Sequence, residues 1–133
     1  MQFAQLLEYG KFDIVGHWDI ISKNCEKTFL FDETDKRYQG YASDCFYALK
    51  DEISIFEINT GEVSRGYRTT PYPHPLLLGE MAKTGVGVII NSDCHNKNFL
   101  THGFTTAIEL CKSCGVKELQ ILTKGGFKGI PLE

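Results

Sequence analysis

The chain has 133 residues, a mass of 15.0 kDa and a net charge of −3, which suits one domain with a substantial hydrophobic core. A hydrophobic fraction of 42% is ordinary for a globular protein, and the acidic balance gives no reason to expect a nucleic-acid partner. No apolar run is long enough to span a membrane and no signal-peptide pattern opens the chain. We therefore expect a single cytoplasmic domain over residues 1–133, with no membrane partner.

Hydrophobic periodicity predicts helices and strands in alternation. Apolar residues recur at helical spacing over residues 2–9, 38–51, 73–85 and 101–114. Short apolar runs, most of them rich in β-branched residues, predict strands over residues 12–16, 53–58, 86–91 and 118–123. This alternation predicts an α/β fold with about four mainly parallel strands, in which ligands gather at the carboxyl ends of the strands. The glycine-rich end, residues 124–129, is expected to be a loop.

The five cysteines form no disulfide framework, because their number is odd and their spacing is irregular, and this favours a reducing compartment. Cys111 and Cys114 form the only CxxC pair and fall in a predicted helix. Such a pair occurs in structural zinc sites and redox centres, but a second pair is lacking. The pair is therefore interpreted as two small residues of a helix.

The third predicted strand ends in a polar cluster of Ser92, Asp93 and His95. Residues two apart share one face of a strand, so Asp93 and His95 are expected to point into one space. A carboxylate and an imidazole in that arrangement are suitable ligands for Zn2+, Mn2+ or Fe2+. The alternative is an aspartate that caps the next helix beside a surface histidine.

The first two strands end in a similar way. His17 and Asp19 follow the first strand, and Glu57 and Asn59 lie on one face of the second, where they interrupt an apolar pattern. Because the carboxyl ends of parallel strands meet at one edge of a sheet, the sequence predicts one polar site built from all three strand ends.

Four motifs occur in a characteristic order: GHWD at residues 16–19, FEINTG at 56–61, SRG at 64–66 with PYP at 71–73, and SDCH at 92–95. In this order they resemble the C-terminal half of PHP-domain phosphoesterases, most closely the bacterial histidinol-phosphatase branch. The likeness extends over about residues 8–120 of the chain. It implies a distorted (β/α)7 barrel with divalent metal ions (Zn, Mn or Fe) at the strand ends. The implied reaction converts L-histidinol phosphate and water to L-histidinol and phosphate, a step of histidine biosynthesis.

The resemblance also implies roles for single residues. His17, Asp93 and His95 match metal ligands of the family, and Asp93 and His95 are assigned to catalysis. The resemblance leaves open whether Asp93 or a nearby histidine protonates the leaving alkoxide. Arg65 lies where that branch binds the substrate phosphate, and Arg68 is a weaker candidate for the same role. The alternative for Arg65 is an exposed cation of a long loop.

Four further residues are expected to support the site rather than to bind metal. They are Asp19, Glu57, Asn59 and Ser92.

The opening His-x-His of the family, two further histidines and its bridging glutamate have no counterpart in this sequence. The histidines left without a role are His74, expected to face solvent, and His102, expected at the start of a helix. We therefore expect part of a truncated or split phosphatase, inactive alone, that takes a small phosphate monoester and pairs with an N-terminal half or with itself.

Two other functions compete with this interpretation. The first is a non-catalytic half-domain that associates through an open sheet edge with another chain or another copy. The second is a nuclease-type PHP module. It is less favoured, because the sequence lacks a basic run that would bind nucleic acid.

Overall fold

The structure, a computed structural model, describes residues 3–133, with side chains from residue 5 onward, so the first residue of the first predicted helix lies outside it. The strands are β1 (Ile14–Val15), β2 (Ile55–Asn59), β3 (Gly87–Asn91), β4 (Glu118–Thr123) and β5 (Gly126–Pro131). The α-helices are α1 (Lys36–Leu49), α2 (Gly61–Ser64), α3 (Pro75–Thr84) and α4 (Phe104–Ser113). Short 3-10 helices span Phe3–Glu8, Ile20–Ser22 and Lys97–Phe99. None of the described helices is long and apolar enough to cross a membrane.

The first three strands form a parallel sheet in the order β1-β2-β3. The register pairs Ile14 of β1 with Ile55 of β2, and Asn59 of β2 with Asn91 of β3. The mixed α/β class is therefore confirmed, and the three carboxyl ends lie at one edge of this sheet. Among residues 3–133 the strands form no closed barrel.

The fourth predicted strand exists, but it does not join the parallel sheet. β4 pairs antiparallel with β5 in a separate hairpin. The predictions of a fourth parallel strand and of a loop over residues 124–129 are therefore both wrong. Lys124 and Gly125 make a two-residue turn between β4 and β5. So short a turn joins two strands antiparallel, because a parallel pair would need a long crossover between them. The Thr123 hydroxyl donates to the Gly126 carbonyl oxygen at 2.7 Å and fixes this turn.

The hydrophobic core lies between the parallel sheet and three helices. Phe56 and Ile58 share one face of β2 by the two-residue period of a strand, and Val88 joins them from β3. The core residues from the helices are Phe46 and Leu49 of α1, Leu78 and Met81 of α3, and Ala107 and Cys111 of α4. The same period places Glu57 and Asn59 on the opposite face of β2, away from this core.

Aromatic packing connects the core to the chain segment that follows β1. The ring centroid of Phe56 lies 5.4 Å from that of Trp18 and 5.1 Å from that of Phe46, both with edge-to-face geometry. Because Trp18 follows His17 directly, its burial fixes the path of the chain where β1 ends.

The CxxC pair lies at the end of α4. Cys111 is buried, and this burial raises the pKa of its thiol to about 12. A thiol with so high a pKa is a poor nucleophile and metal ligand. The Cys114 thiol donates to the Pro75 carbonyl oxygen at 3.5 Å, and both cysteines are free. This environment supports the interpretation of a packing role.

We expect Phe56→Ala to lower the free energy of unfolding by about 3–5 kcal/mol, because it removes a fully buried ring from the core. Urea denaturation followed by circular dichroism measures the change. The control is Tyr41→Ala, since this side chain is 65% exposed on α1 and its loss should cost under about 0.5 kcal/mol. Equal losses in the two variants would contradict the described core.

Candidate functional site

The candidate site lies at the carboxyl ends of β1, β2 and β3. His17, Asp19 and Asp93 are the non-glycine residues with positive φ among those described, at 53°, 72° and 42°. Few non-glycine residues adopt this conformation, and it persists where surrounding contacts hold it. All three of these residues were singled out from the sequence, so backbone strain coincides with the predicted site.

The His17 imidazole meets the Asp93 carboxylate across the sheet edge. The distance from His17 Nε2 to Asp93 Oδ2 is 3.3 Å, and the imidazole is 43% exposed. The backbone N–H of His17 donates to Glu57 Oε2 at 2.6 Å. The strand ends of β1 and β3 therefore present an imidazole and a carboxylate to one space that is open to solvent.

Arg65 completes this arrangement from the end of α2. Its Nη1 donates to the Asp93 carbonyl oxygen and its Nη2 to Asp93 Oδ2, both at 3.0 Å. Nη2 also donates to Glu62 Oε1 at 2.5 Å. Arg65 is therefore an integral member of the site and not the exposed loop cation of the alternative interpretation.

These contacts set the charge state of the site. Desolvation by itself raises the pKa of Asp93, but the hydrogen bonds from Arg65 and His17 outweigh it, and the pKa lies below its ordinary value. The hydrogen bond to Glu62 raises the pKa of the Arg65 guanidinium. Asp93 and Arg65 therefore remain an ion pair at neutral pH.

Gly61 is required for the close approach of α2 to Asp93. A Cβ atom at Gly61 would lie 2.8 Å from Arg65 Nη2 and 3.0 Å from Asp93 Cβ. The Gly61 N–H donates to Asn59 Oδ1 at 2.9 Å, which starts the helix where β2 ends. Lack of space for a larger side chain therefore explains the glycine at the end of the FEINTG motif.

Glu57 and Asn59 form a buried polar layer behind His17. Besides the His17 N–H, Glu57 accepts hydrogen bonds from Asn59 Nδ2 at 3.2 Å and from Asn91 Nδ2 at 2.8 Å. A buried carboxylate needs such donors to offset its desolvation. This is the geometry of residues that hold the strand ends together.

His95 and Ser92 flank the carboxylate. His95 Nε2 lies 3.5 Å from Asp93 Oδ1, whereas His17 contacts Oδ2, and the His95 side chain is 73% exposed. Ser92 is half-buried between β3 and Asp93. His95 is therefore near the pair, but neighbouring groups do not fix it as they fix His17.

Arg68 belongs to a different part of the molecule. It is buried and donates to the carbonyl oxygens of Ser22, at 2.6 Å, and Thr70, at 3.1 Å. Its Nη2 also lies 3.0 Å from Glu33 Oε1. The structure therefore does not bring Arg68 to the pair of His17 and Asp93, and its contacts are those of a residue that holds the loop.

Asp19 is buried beneath the loop that precedes α3. Its Oδ2 accepts a hydrogen bond from the His74 N–H at 3.1 Å, while Oδ1 has no hydrogen-bond partner among the described residues. Desolvation raises the pKa of Asp19 to about 7. His74 is half-buried and its Nδ1 accepts from the Leu76 N–H, which caps α3, so the expectation of a solvent-facing His74 is wrong.

Three residues of the site, Glu62, Tyr72 and Lys23, received no role from the sequence. Glu62 is buried, and its Oε1 also lies 3.3 Å from Lys23 Nζ. Tyr72 is buried, and desolvation followed by the charge of Glu62 raises the pKa of its hydroxyl. The i,i+3 spacing of Glu62 and Arg65 on one helix is a signal that could have found Glu62. The pairing of Lys23 with Glu62 has no comparable signal, because the two residues are far apart in the sequence.

The described residues do not complete a metal site in this arrangement. Among residues 3–133, no group of three or more His, Cys, Asp and Glu side chains has a geometry that could hold a metal ion. A catalytic zinc site usually takes three protein ligands. In addition, Oδ2 of Asp93 already accepts a hydrogen bond from Arg65.

A cavity of about 360 Å³ lies at the opposite end of the sheet. Residues at the amino ends of β2 and β3, with Thr84 of α3 and Gln120 of β4, line it. It is therefore separate from the candidate site.

The sequence matches no protein family model and no curated protein. The four motifs and the geometry of the strand ends are therefore the observations that bear on function.

We expect the stability of the protein to fall between about pH 5 and pH 8 because of Asp19. The carboxyl group has a pKa of about 7 in the folded chain against an ordinary value of 3.8, so the folded state binds more protons in this interval. Below the ordinary pKa of 3.8 the carboxyl group is protonated in both states, so its burial carries no cost of ionisation. Above the folded-state pKa of about 7 it is ionised in both states, and the full cost of burying the charge lowers the free energy of unfolding. From about pH 5 to pH 8, the free energy of unfolding of Asp19→Asn should therefore rise by about 2–3 kcal/mol relative to that of the wild type.

Urea denaturation at both pH values measures this difference. The control is Asp51→Asn, an exposed carboxylate beside Lys50 whose removal should leave the pH dependence of the wild type. A parallel pH dependence of wild type and Asp19→Asn would show that Asp19 is ionised in the folded protein at pH 5.

Proposed function

We propose that this chain is the substrate-binding, C-terminal part of a metal-dependent phosphatase that resembles the histidinol-phosphatases of the PHP class. The observation that supports this best is the convergence of three motifs on one atom. Asp93 Oδ2 lies 3.3 Å from His17 Nε2 and 3.0 Å from Arg65 Nη2. The three side chains come from distant parts of the sequence, and the resemblance assigns all three to one phosphatase site.

A phosphate monoester is the substrate class that fits the charges. Arg65 Nη2 and Lys23 Nζ both contact Glu62 Oε1, and Arg65 Nη2 also contacts Asp93 Oδ2. Lys23 is 40% exposed and accessible to a ligand. A guanidinium binds two phosphate oxygens at once, and an ammonium adds a compact point charge. In this proposal Arg65 and Lys23 bind the phosphate group, and Glu62 keeps both in place.

The remaining residues take the roles that the family implies. His17, Asp93 and His95 are proposed ligands of a divalent ion (Zn, Mn or Fe), whose other ligands come from an N-terminal half. Asp93 and His95 are the candidates for proton transfer to the leaving oxygen. Behind them lie the proposed supporting residues Asp19, Glu57, Asn59 and Ser92.

A second candidate function, a non-catalytic half-domain, is favoured by the open edge of the sheet. Among the described strands β1 pairs with β2 alone, so its other edge carries unpaired backbone groups. Four apolar side chains in the segments before and after β1 are exposed: Phe12, Ile21, Phe29 and Leu30. An unpaired strand edge and exposed apolar side chains both favour association with another chain or with a second copy.

We expect the isolated chain to release negligible phosphate from histidinol phosphate, even with added Mn2+ or Zn2+, because it supplies too few ligands. Mixing it with a separately expressed N-terminal half of a PHP histidinol-phosphatase should produce metal-dependent turnover. His17→Ala and Asp93→Ala should reduce that turnover far more than the 10–100-fold that is typical of residues behind the ligands. Phosphate release against time is the measurement.

The matched control for this experiment is His102→Ala. His102 is exposed, its ring contacts Phe99, and its carbonyl oxygen, which accepts from Thr60, stays in the variant. The mixture with this variant should keep its turnover. Robust turnover by the isolated chain, lost in His17→Ala, would contradict the need for a second half.

We also expect the isolated chain to form dimers or larger oligomers, because the outer edge of β1 is unpaired among the described strands and several apolar side chains are exposed. Light scattering over a range of concentrations measures the mass. Addition of the N-terminal half should replace the self-association by a heterodimer. A monomer at all concentrations, together with slow amide exchange in β1, would show that this edge is protected within the chain.

A further inference from the structure

Two lysines meet at the ring of Tyr67, next to the proposed phosphate position. The Nζ atom of Lys27 lies 4.3 Å from the centroid of this ring, and the Nζ atom of Lys23 lies 5.6 Å from it. A cation over an aromatic face is attracted by the negative charge of that face. The ring therefore holds two ammonium groups as neighbours at the surface.

This ring has a defined position relative to Arg65. The Tyr67 N–H donates to the Glu62 carbonyl oxygen at 2.9 Å, so the backbone after α2 carries the ring back towards the start of the helix. Lys23 joins the two parts, because its Nζ contacts both the ring and Glu62 Oε1, the oxygen that also accepts from Arg65 Nη2. Arg65, Lys23 and Lys27 are thus connected through one carboxylate and one ring.

The charge of Lys27 has no carboxylate partner in the part of the chain that the structure describes. Its sequence neighbour Glu26 has other partners: the carboxylate accepts from the Thr69 N–H at 2.6 Å and lies 3.7 Å from Arg68 Nη2. Lys27 and Tyr67 are both exposed. An anion from solution can therefore reach the Lys27 ammonium and form charge-assisted hydrogen bonds with it.

A lysine over another tyrosine ring shows the contrast. Lys50 Nζ lies 5.9 Å from the centroid of Tyr47, but it also lies 2.5 Å from Asp51 Oδ1. The charge of Lys50 is therefore already paired. Lys50 also lines the cavity at the opposite end of the sheet, which makes it a suitable control.

We propose that Lys27, Lys23 and Tyr67 form a second anion-binding position beside Arg65, and that the site binds a ligand with two adjacent phosphoryl groups, a diphosphate. Arg65 binds one phosphoryl group, Lys27 binds the other, and Lys23 contacts both. The inference rests on the proposed function, which assigns Arg65 and Lys23 to a phosphate group. It goes beyond that function, because a simple monoester such as L-histidinol phosphate has no second anionic group for Lys27.

The test is the binding of inorganic phosphate and of inorganic pyrophosphate to this chain, measured by titration calorimetry at neutral pH. EDTA is present, so that no divalent ion bridges the anion and the protein. The ionic strength is about 0.1 M, at which distant charges are screened. Wild type should bind pyrophosphate about tenfold or more tightly than phosphate, because the second phosphoryl group gains its own charge-assisted hydrogen bonds.

Lys27→Met separates the two positions, because methionine keeps an apolar side chain over the Tyr67 ring but carries no charge. The pyrophosphate affinity should fall about fivefold or more, while the phosphate affinity should change by under about twofold. Lys27→Arg should keep the preference for pyrophosphate, since a guanidinium retains the charge and also stacks on aromatic faces.

The matched control is Lys50→Met. It removes the same charge from another lysine that lies over a tyrosine ring, but at the opposite end of the sheet. Both affinities should stay within about twofold of wild type, because the charge lies beyond the screening length. The control separates binding by Lys27 from a general effect of net charge.

Arg65→Gln tests the proposed function separately, because it should weaken the binding of both anions. If it leaves the phosphate affinity unchanged while Lys27→Met still lowers the pyrophosphate affinity, the phosphate position of the proposed function is wrong and the anion position at Lys27 is supported. Turnover is not measured in any arm, so a missing N-terminal half does not affect the result.

Circular dichroism establishes that each variant is folded. If Lys27→Met is not folded, Tyr67→Leu replaces it, because it removes the ring that holds both lysines and should likewise lower the preference for pyrophosphate. Three results would overturn the inference. They are an equal ratio of the two affinities in wild type and the folded variant, an equal effect of Lys50→Met, and no measurable binding of pyrophosphate by wild type.

Discussion

The ends of the three parallel strands depend on one buried carboxylate, that of Glu57. It accepts hydrogen bonds from the His17 backbone after β1, from Asn59 on its own strand and from Asn91 at the end of β3. Burying a carboxylate is costly unless donors surround it, so the three strand ends are held where those donors can reach it. The position of His17, and with it the candidate site, follows from this constraint.

The two faces of the sheet differ in composition: one is apolar and packs against the helices, and the other carries the polar side chains. Phe56 and Ile58 pack into the helices, and the burial of these side chains supplies the main driving force for folding. The face with Glu57 and Asn59 holds polar groups that each need a partner. His17 and Asp93 follow the ends of its strands and have φ values of 53° and 42°. These backbone conformations cost free energy, which the packing of the apolar face must offset.

Above this layer lies a network of charges that alternate in sign, formed by Lys23, Glu62, Arg65 and Asp93, with the His17 imidazole at its end. Each carboxylate lies between two donors, which lowers the cost of partial burial and fixes Arg65 against Asp93. The network is not fully satisfied, because Glu62 Oε2 is buried without a hydrogen-bond partner among the described residues.

The sequence by itself determined most of the elements, α2 and β5 excepted, and the polar strand ends. The alternation of apolar runs predicted β1, β2, β3, α1, α3 and α4 within a few residues, because these elements are encoded by local periodicity. It failed at the β4–β5 hairpin, where a glycine-rich segment suggested a loop although the turn at Lys124 and Gly125 returns the chain as a strand. Partners that are distant in the sequence were decided only by the tertiary structure. Neither the contact of Lys23 with Glu62 nor the separation of Arg68 from Arg65 has a local signal, because each depends on how the loops fold over the sheet.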